Sequence, residues 1–130
     1  MMSERIKSVL RFLLAGIMVF IGVGHFVKPE PFVVIVPDFL PAKLALVYVS
    51  GVFEILGGVA LLVPLTRQWA GLGLIALFLA VFPANINQAM HAIQFDPLHP
   101  APEWVFWLRL PFQVLLIWLA WWTSRPQKTA

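Results

Sequence analysis

The chain has 130 residues, 61% apolar and 12% charged, with no cysteine, a net charge of +3 and a mean hydropathy of +0.89. Ordinary soluble domains carry about 25% charged residues, so composition excludes a water-facing globule. The lack of thiols excludes disulfides, CxxC redox chemistry, thiol nucleophiles and thiolate metal sites within the chain. The excess of cations does not describe a nucleic-acid surface, because they stand at the ends of apolar runs and not along one basic face.

Four runs have the length that spans a bilayer, about 17–25 residues: 9–27, 43–65, 69–91 and 104–123. They predict an all-α integral membrane protein, a bundle of four transmembrane helices in one domain over 1–130. The opening MMSERIK resembles the start of a signal peptide, but the apolar stretch after it is longer than a secretory h-region and no A-x-A site follows. It reads as a retained first span.

Arg5, Lys7 and Arg11 precede span one, Arg67 lies between spans two and three, and Arg125 and Lys128 follow span four. If the spans alternate, all six share one side, against Lys28 and Lys43 on the other. The positive-inside rule then puts both termini in the cytoplasm of a bacterial inner-membrane protein. After span one, prolines 29, 31, 37 and 41 punctuate an apolar stretch too short to cross, which reads as a re-entrant or interfacial segment. Pro64 and the polar trio Thr66, Arg67 and Gln68 break the chain into a tight hairpin between spans two and three. His99, between prolines in the second outer loop, is expected at the surface, and Trp104 and Trp107 then start span four at interfacial depth.

Span two contains one charged residue, Glu54, inside SGVFEILGG. Ser50, Gly51, Gly57 and Gly58 fall on its side of the helix at 100° per residue, the small face on which membrane helices pack closely. Span three carries a comparable stripe, Gly73, Ala76, Ala80 and Ala84 continuing into Asn87 and His91, with Pro83 opening a turn within it. Gln88 and His91 read equally well as headgroup-level caps.

Counting at about 1.5 Å per residue from the cytoplasmic arginines, His25, Glu54, Asn85, Arg109 and Gln113 come to roughly the same depth from four different helices. An intramembrane ion costs about 2.5–3.5 kcal/mol on insertion scales and is usually paired or faces a cavity. Arg109 is the candidate counter-ion of Glu54, and Pro111 beside it opens its helix. The layer admits three uses: a structural polar lock, a site for the polar head of a hydrophobic small molecule such as a quinone or lipid, or an acid/base site built on Glu54 and His25. His25, Glu54 and His91 are metal-ligand types, but no HxxxH or HExxH spacing supports a metal site.

The segments GVGHFVKPEPF, IVPDFLP, YVSGVFEILGGVALLVPLTRQWAG and FPANINQA, in that order, resemble the DoxX-like family of small four-helix membrane proteins. The resemblance implies an accessory, redox-associated membrane subunit, since relatives include a small subunit of thiosulfate:quinone oxidoreductase and partners of oxidative-stress enzymes. It also implies a redox-enzyme subunit as a candidate partner; the apolar spans themselves make the lipid bilayer a partner, and the sequence leaves a homo-oligomer with a second copy of the chain open. No cofactor signature is evident; a quinone is the cofactor such a role would admit. The dithiol of some redox-active membrane relatives is absent, so electron transfer through this chain's own thiols is not expected. Four-helix sterol isomerase-like proteins, which also keep acidic residues in a membrane cavity, offer an analogy of architecture for the enzymatic alternative.

Overall fold

The computed structural model describes residues 2–126, with side chains from Glu4 onward; Lys128 lies outside the described residues. The described residues form α1 (Met2–Val27), a short α2 (Glu30–Val33), α3 (Lys43–Leu62), α4 (Arg67–His91) and α5 (Glu103–Ser124). Four of these helices are long and apolar enough to cross a bilayer, and the chain is a multi-pass membrane protein built as a four-helix bundle. Exposed Phe20, Val49, Leu56, Leu79 and Leu115 form part of a continuous apolar exterior. Such a surface suits lipid, where every backbone group must be satisfied within the helix. Exposed Trp104 and Trp107 ring one end and Trp69, Trp118 and Trp121 the other, as interfacial anchors do.

The helices form a ring in which α1 touches α3 and α5, and α4 touches the same two; α1–α4 and α3–α5 are the diagonals. The closest crossing is α1 on α3. A Cβ added to Gly51 would lie 2.8 Å from His25 Cβ, and one added to Gly58 would lie 2.8 Å from Ala15 O. Each glycine lets a backbone approach that any larger residue would hold off. Gly22 does the same from the α1 side, facing Gly51 O. Gly57 faces Leu74 of α4, and Gly71 of α4 admits Ser124 and Ala120 of α5.

The small stripe of α4 does not face the bundle. Gly73, Ala76 and Ala80 are exposed, and a Cβ on Gly73 would meet nothing. The buried face, Ala70, Gly71, Leu74, Phe78, Asn85, Gln88 and Ala89, lies about 130° further round. Close approach to α5 needs only Gly71, and the rest of the interior needs volume, which Leu74 and Phe78 supply. The side chain of Ser124 fills the notch Gly71 leaves.

The two ends of the bundle are built differently. At the end that holds the start of α1, the finish of α5 and the 63–66 turn, Leu14, Ala15, Met18, Leu61, Ala70, Leu74, Phe78 and Ala120 form the core. The last carbonyls of the helices there have no intrahelical partner. Buried Arg11 donates Nε to Thr123 O (2.8 Å), and Lys7 donates Nζ to Arg125 O (2.9 Å). Arg67 donates to Leu61 O and Leu62 O, and Thr66 Oγ1 to Ala60 O. These cations therefore cap helix C-termini, where positive charge also suits the dipole.

At the opposite end the segment 28–42 folds back over the bundle. Pro29 starts α2, and Ile35, Val36 and Pro37 are buried. Asn87 Nδ2 donates to Ile35 O at 3.0 Å and ties the segment to α4. Ala42 (φ 53°) and Ala92 (φ 49°) adopt the left-handed conformation where the segment enters α3 and where α4 ends. Asp38 pairs with Lys43 at 2.6 Å, and that lysine holds its carboxyl below the usual range. In the loop between α4 and α5, Asp96 accepts from His99 Nδ1 (2.9 Å) and Leu98 N (3.0 Å); these bonds depress its carboxyl in the same way. His99 is exposed.

Candidate functional site

Under that segment lies a cavity of about 590 Å³, within the range of about 300–1,000 Å³ typical of small-molecule sites. Its walls are mainly apolar, with Met18, Ile21, Leu77, Phe78 and Leu116 at its base and Phe32, Ile35, Val36 and Pro37 as its cover. Its polar groups are few: His25 from α1, Ser50 and Glu54 from α3, Asn85 from α4, Arg109 and Gln113 from α5. The five residues that counting along the helices put at one depth thus all line one space.

The cavity arises because α3 and α4 touch near their hairpin, where Gly57 meets Leu74, and are separated by the cavity at the level of Ser50 and Ala84. Val49 and Phe53 of α3, and Ala80 and Pro83 of α4, line the cavity and are also exposed. The space therefore has a rim on the flank of the bundle, between α3 and α4, where the apolar exterior meets lipid.

The two polar walls differ. On the α4–α5 wall every group has a partner. Asn85 Nδ2 donates to Gln113 Oε1 (3.2 Å), and Gln113 Nε2 donates to Phe78 O (3.2 Å) near the turn that Pro83 opens. Arg109 Nη1 donates to Gln88 Oε1, and its guanidinium sits 4.8 Å from the centre of the Phe95 ring. Gln88, fully buried, passes the chain on from Nε2 to Ile93 O at 3.0 Å.

On the α1–α3 wall the groups are short of partners. His25 Nδ1 is 2.7 Å from Ile21 O, a contact that requires a proton on Nδ1 and leaves Nε2 as the acceptor of a neutral ring. The same nitrogen lies 3.3 Å from Glu54 Oε2, so its proton is already directed elsewhere. Glu54 Oε2 and Ser50 Oγ are buried and make no hydrogen bond. Each such buried orphan costs about 1–3 kcal/mol. Phe32 of the covering segment stacks on the imidazole at 3.9 Å and fixes its plane.

Glu54 and Arg109 do not pair. Among the described residues the carboxylate's ion-pair neighbour is His25, and Arg109 is served by Gln88 and Phe95. The ring order explains this: α3 and α5 face each other across a diagonal with the cavity between them, whereas α3 and α1 pack at Gly22 and Gly51. Asn87 and His91 do not line the cavity. Asn87 holds the covering segment, and exposed His91 stands with Nδ1 3.1 Å from Asn87 O. Among the described residues no three His, Asp or Glu side chains gather as a metal site.

Residues 14–124 match the profile of a family described as a domain of unknown function, DUF8561. The chain belongs to that family. No curated protein and no solved structure matches it. The matched stretch of this DUF8561 chain covers all four long helices and every polar residue of the cavity.

Sequence reasoning for this DUF8561 chain passed over Gln88 as the partner of Arg109, and Phe32 and Phe95 as the rings against His25 and Arg109. Gln88 carried a usable signal, since it lies three residues after Asn85 and so on the same face of α4. Phe32 sits in the single turn of α2 and Phe95 in a loop, where no periodicity reports which way a side chain turns.

Proposed function

We propose that this chain is a membrane-embedded binding protein for a hydrophobic small molecule with a polar head, taken up from the bilayer between α3 and α4. The observation that carries this reading is the cavity itself: a mainly apolar space at bilayer depth whose α1–α3 wall keeps buried polar groups without partners. Two unsatisfied groups on one helix face are costly in a protein that needs them only for packing. An occupant offsets that cost. The DoxX-like resemblance supports a redox-associated setting, in which a quinone is the occupant and a redox-enzyme subunit the partner. The basic residues gathered at one end support a bacterial inner membrane with both termini in the cytoplasm.

The test is mass spectrometry of lipids co-purifying with the gently solubilised protein, with Ala84→Trp as the control that fills the cavity. The wild type is expected to retain an apolar molecule that the variant lacks. Equal retention by both, or an empty wild type, removes the binding reading.

A second reading, the accessory subunit whose polar layer is a structural lock, is favoured by the bonds from Asn85 and Gln88 to Gln113 and Arg109, which tie α4 to α5. A lock tolerates joint replacement of Glu54, Arg109 and the Gln88 bonded to it by apolar residues of similar size. A binding site does not. In the enzymatic alternative, Glu54 and His25 serve as acid and base toward the same occupant.

A further inference from the structure

We infer that the polar head read by this cavity is a neutral hydroxyl, on an otherwise apolar molecule, held between Ser50 and Glu54. The inference rests on the binding reading above and specifies its ligand class. Three observations support it.

First, the cavity carries opposite charge types on opposite walls. Glu54 lies on α3, Arg109 on α5, and neither has the other within ion-pair distance. An anionic head entering this space meets Glu54, and a cationic head meets Arg109. A head of no net charge is repelled by neither wall.

Second, within the cavity the groups without partners are confined to one patch; the other buried unbonded atoms, Arg125 Nε and Nη2, lie at the opposite end beside the Trp121 ring. Ser50 and Glu54 are four residues apart on one face of α3, about 6 Å along the axis. Helical side chains lean toward the N-terminus, so the Glu54 carboxyl inclines toward Ser50. Both residues line the cavity, so one ligand head faces the two of them.

Third, the patch demands a group that both donates and accepts. An ionised Glu54 only accepts, a protonated one donates, and the Ser50 hydroxyl does either. An ether, ketone or quinone oxygen accepts but never donates, and it leaves the carboxylate unsatisfied, so of a quinone couple it is the hydroxyl-bearing quinol that fits. A hydroxyl satisfies Glu54 in either protonation state and completes Ser50 with its remaining capacity. On the opposite wall each polar side chain already has a partner: Asn85 donates to Gln113, Gln113 to Phe78 O and Arg109 to Gln88.

The experiment compares four probes with one tail on the full chain in detergent micelles: farnesol, farnesyl methyl ether, farnesoic acid and farnesylamine. The readout is the shift in thermal unfolding midpoint, with the shift of Ala84→Trp subtracted as the micelle background. A ligand that binds the folded state alone raises the midpoint in proportion to its occupancy. Farnesol is expected to give the largest shift, and Ser50→Ala to reduce it by about half or more, while the three other probes lose little on that variant. Equal shifts from farnesol and its methyl ether overturn the hydroxyl assignment and leave the binding reading standing. A larger shift from the acid or the amine overturns it in favour of recognition by Arg109 or by Glu54 as a charge. If no probe shifts the wild type and no apolar molecule co-purifies, the hydroxyl assignment and the binding reading fall together.

Discussion

The two ends of this bundle solve the same problem in opposite ways. Where the hairpin and the helix termini meet, Leu14, Leu61 and Leu74 fill the interior, and Lys7, Arg11 and Arg67 satisfy the carbonyls that helix ends leave open. Under the 28–42 segment the interior is hollow, and Ser50 and Glu54 keep polar atoms that nothing satisfies. Both ends contain buried polar groups in an apolar chain. At one they act mainly on the protein's own backbone, with Arg125 Nε and Nη2 left unbonded beside the Trp121 ring; at the other Ser50 and Glu54 are left over against a cavity. That asymmetry, more than the presence of a glutamate in a membrane helix, points to a site.

Added volume is the strongest way to break the comparison. Gly58→Leu at the packed end drives a side chain into Ala15 O, and a loss of about 2–3 kcal/mol is expected. Ala84→Leu at the hollow end has room, and its stability should stay within about 1 kcal/mol of wild type. Unfolding in the same detergent measures both, and equal losses would mean that the cavity does not persist in the folded protein.

Next in size is the removal of a polar group from each end. Arg11→Met leaves Thr123 O without its donor and should cost about 1–3 kcal/mol. Ser50→Ala deletes a hydroxyl that bonds to nothing and should change stability by no more than about 0.5 kcal/mol. A comparable loss for Ser50→Ala in the ligand-free protein would show that its hydroxyl has a structural partner.

Double-mutant cycles sharpen the hollow end itself. Residues in contact couple by about 0.5–3 kcal/mol and separated ones by less than about 0.5. Glu54→Gln with His25→Phe is expected in the first class, and Glu54→Gln with Arg109→Met in the second. The reverse ranking would restore the diagonal ion pair that the ring order argues against.

The smallest effect is acid loosening confined to the loop end. His99 and the Leu98 amide hold the Asp96 carboxyl below its usual range. Its folded pKa is therefore lower than its unfolded one, near about 3.9, so its contribution is complete above that value and is lost as pH falls through the lower folded pKa. Hydrogen exchange over 94–101 should quicken below about pH 4, while the carbonyl caps at the packed end, whose donors are cations, keep their protection. Loosening of both ends together would mean that acid acts on the bundle as a whole.

Much of this was legible in the chain. Hydropathy marked the four spans because each must match the bilayer alone. Its weak point was a helix edge: the span expected over 43–65 ends at Leu62, where Arg67 and Thr66 take the last carbonyls. The depth of His25, Glu54, Asn85, Arg109 and Gln113 followed from a fixed rise per residue. Depth is a one-dimensional quantity, and a helix carries it in its own numbering.

Azimuth is not local in the same way. Gly73 and Ala76 of the small stripe have the right spacing for a contact face and look outward, while Ala80 and Ala84 reach the cavity, because the neighbour of α4 at that level needs volume and not closeness. Glu54 and Arg109 share a depth and stand across a diagonal, so the carboxylate lies beside His25. The sequence by itself determined which residues share a layer, since pitch and bilayer thickness act on one helix at a time. Only the tertiary structure decided which of them touch, because that depends on the order of helices around the ring, and no single helix encodes its neighbours.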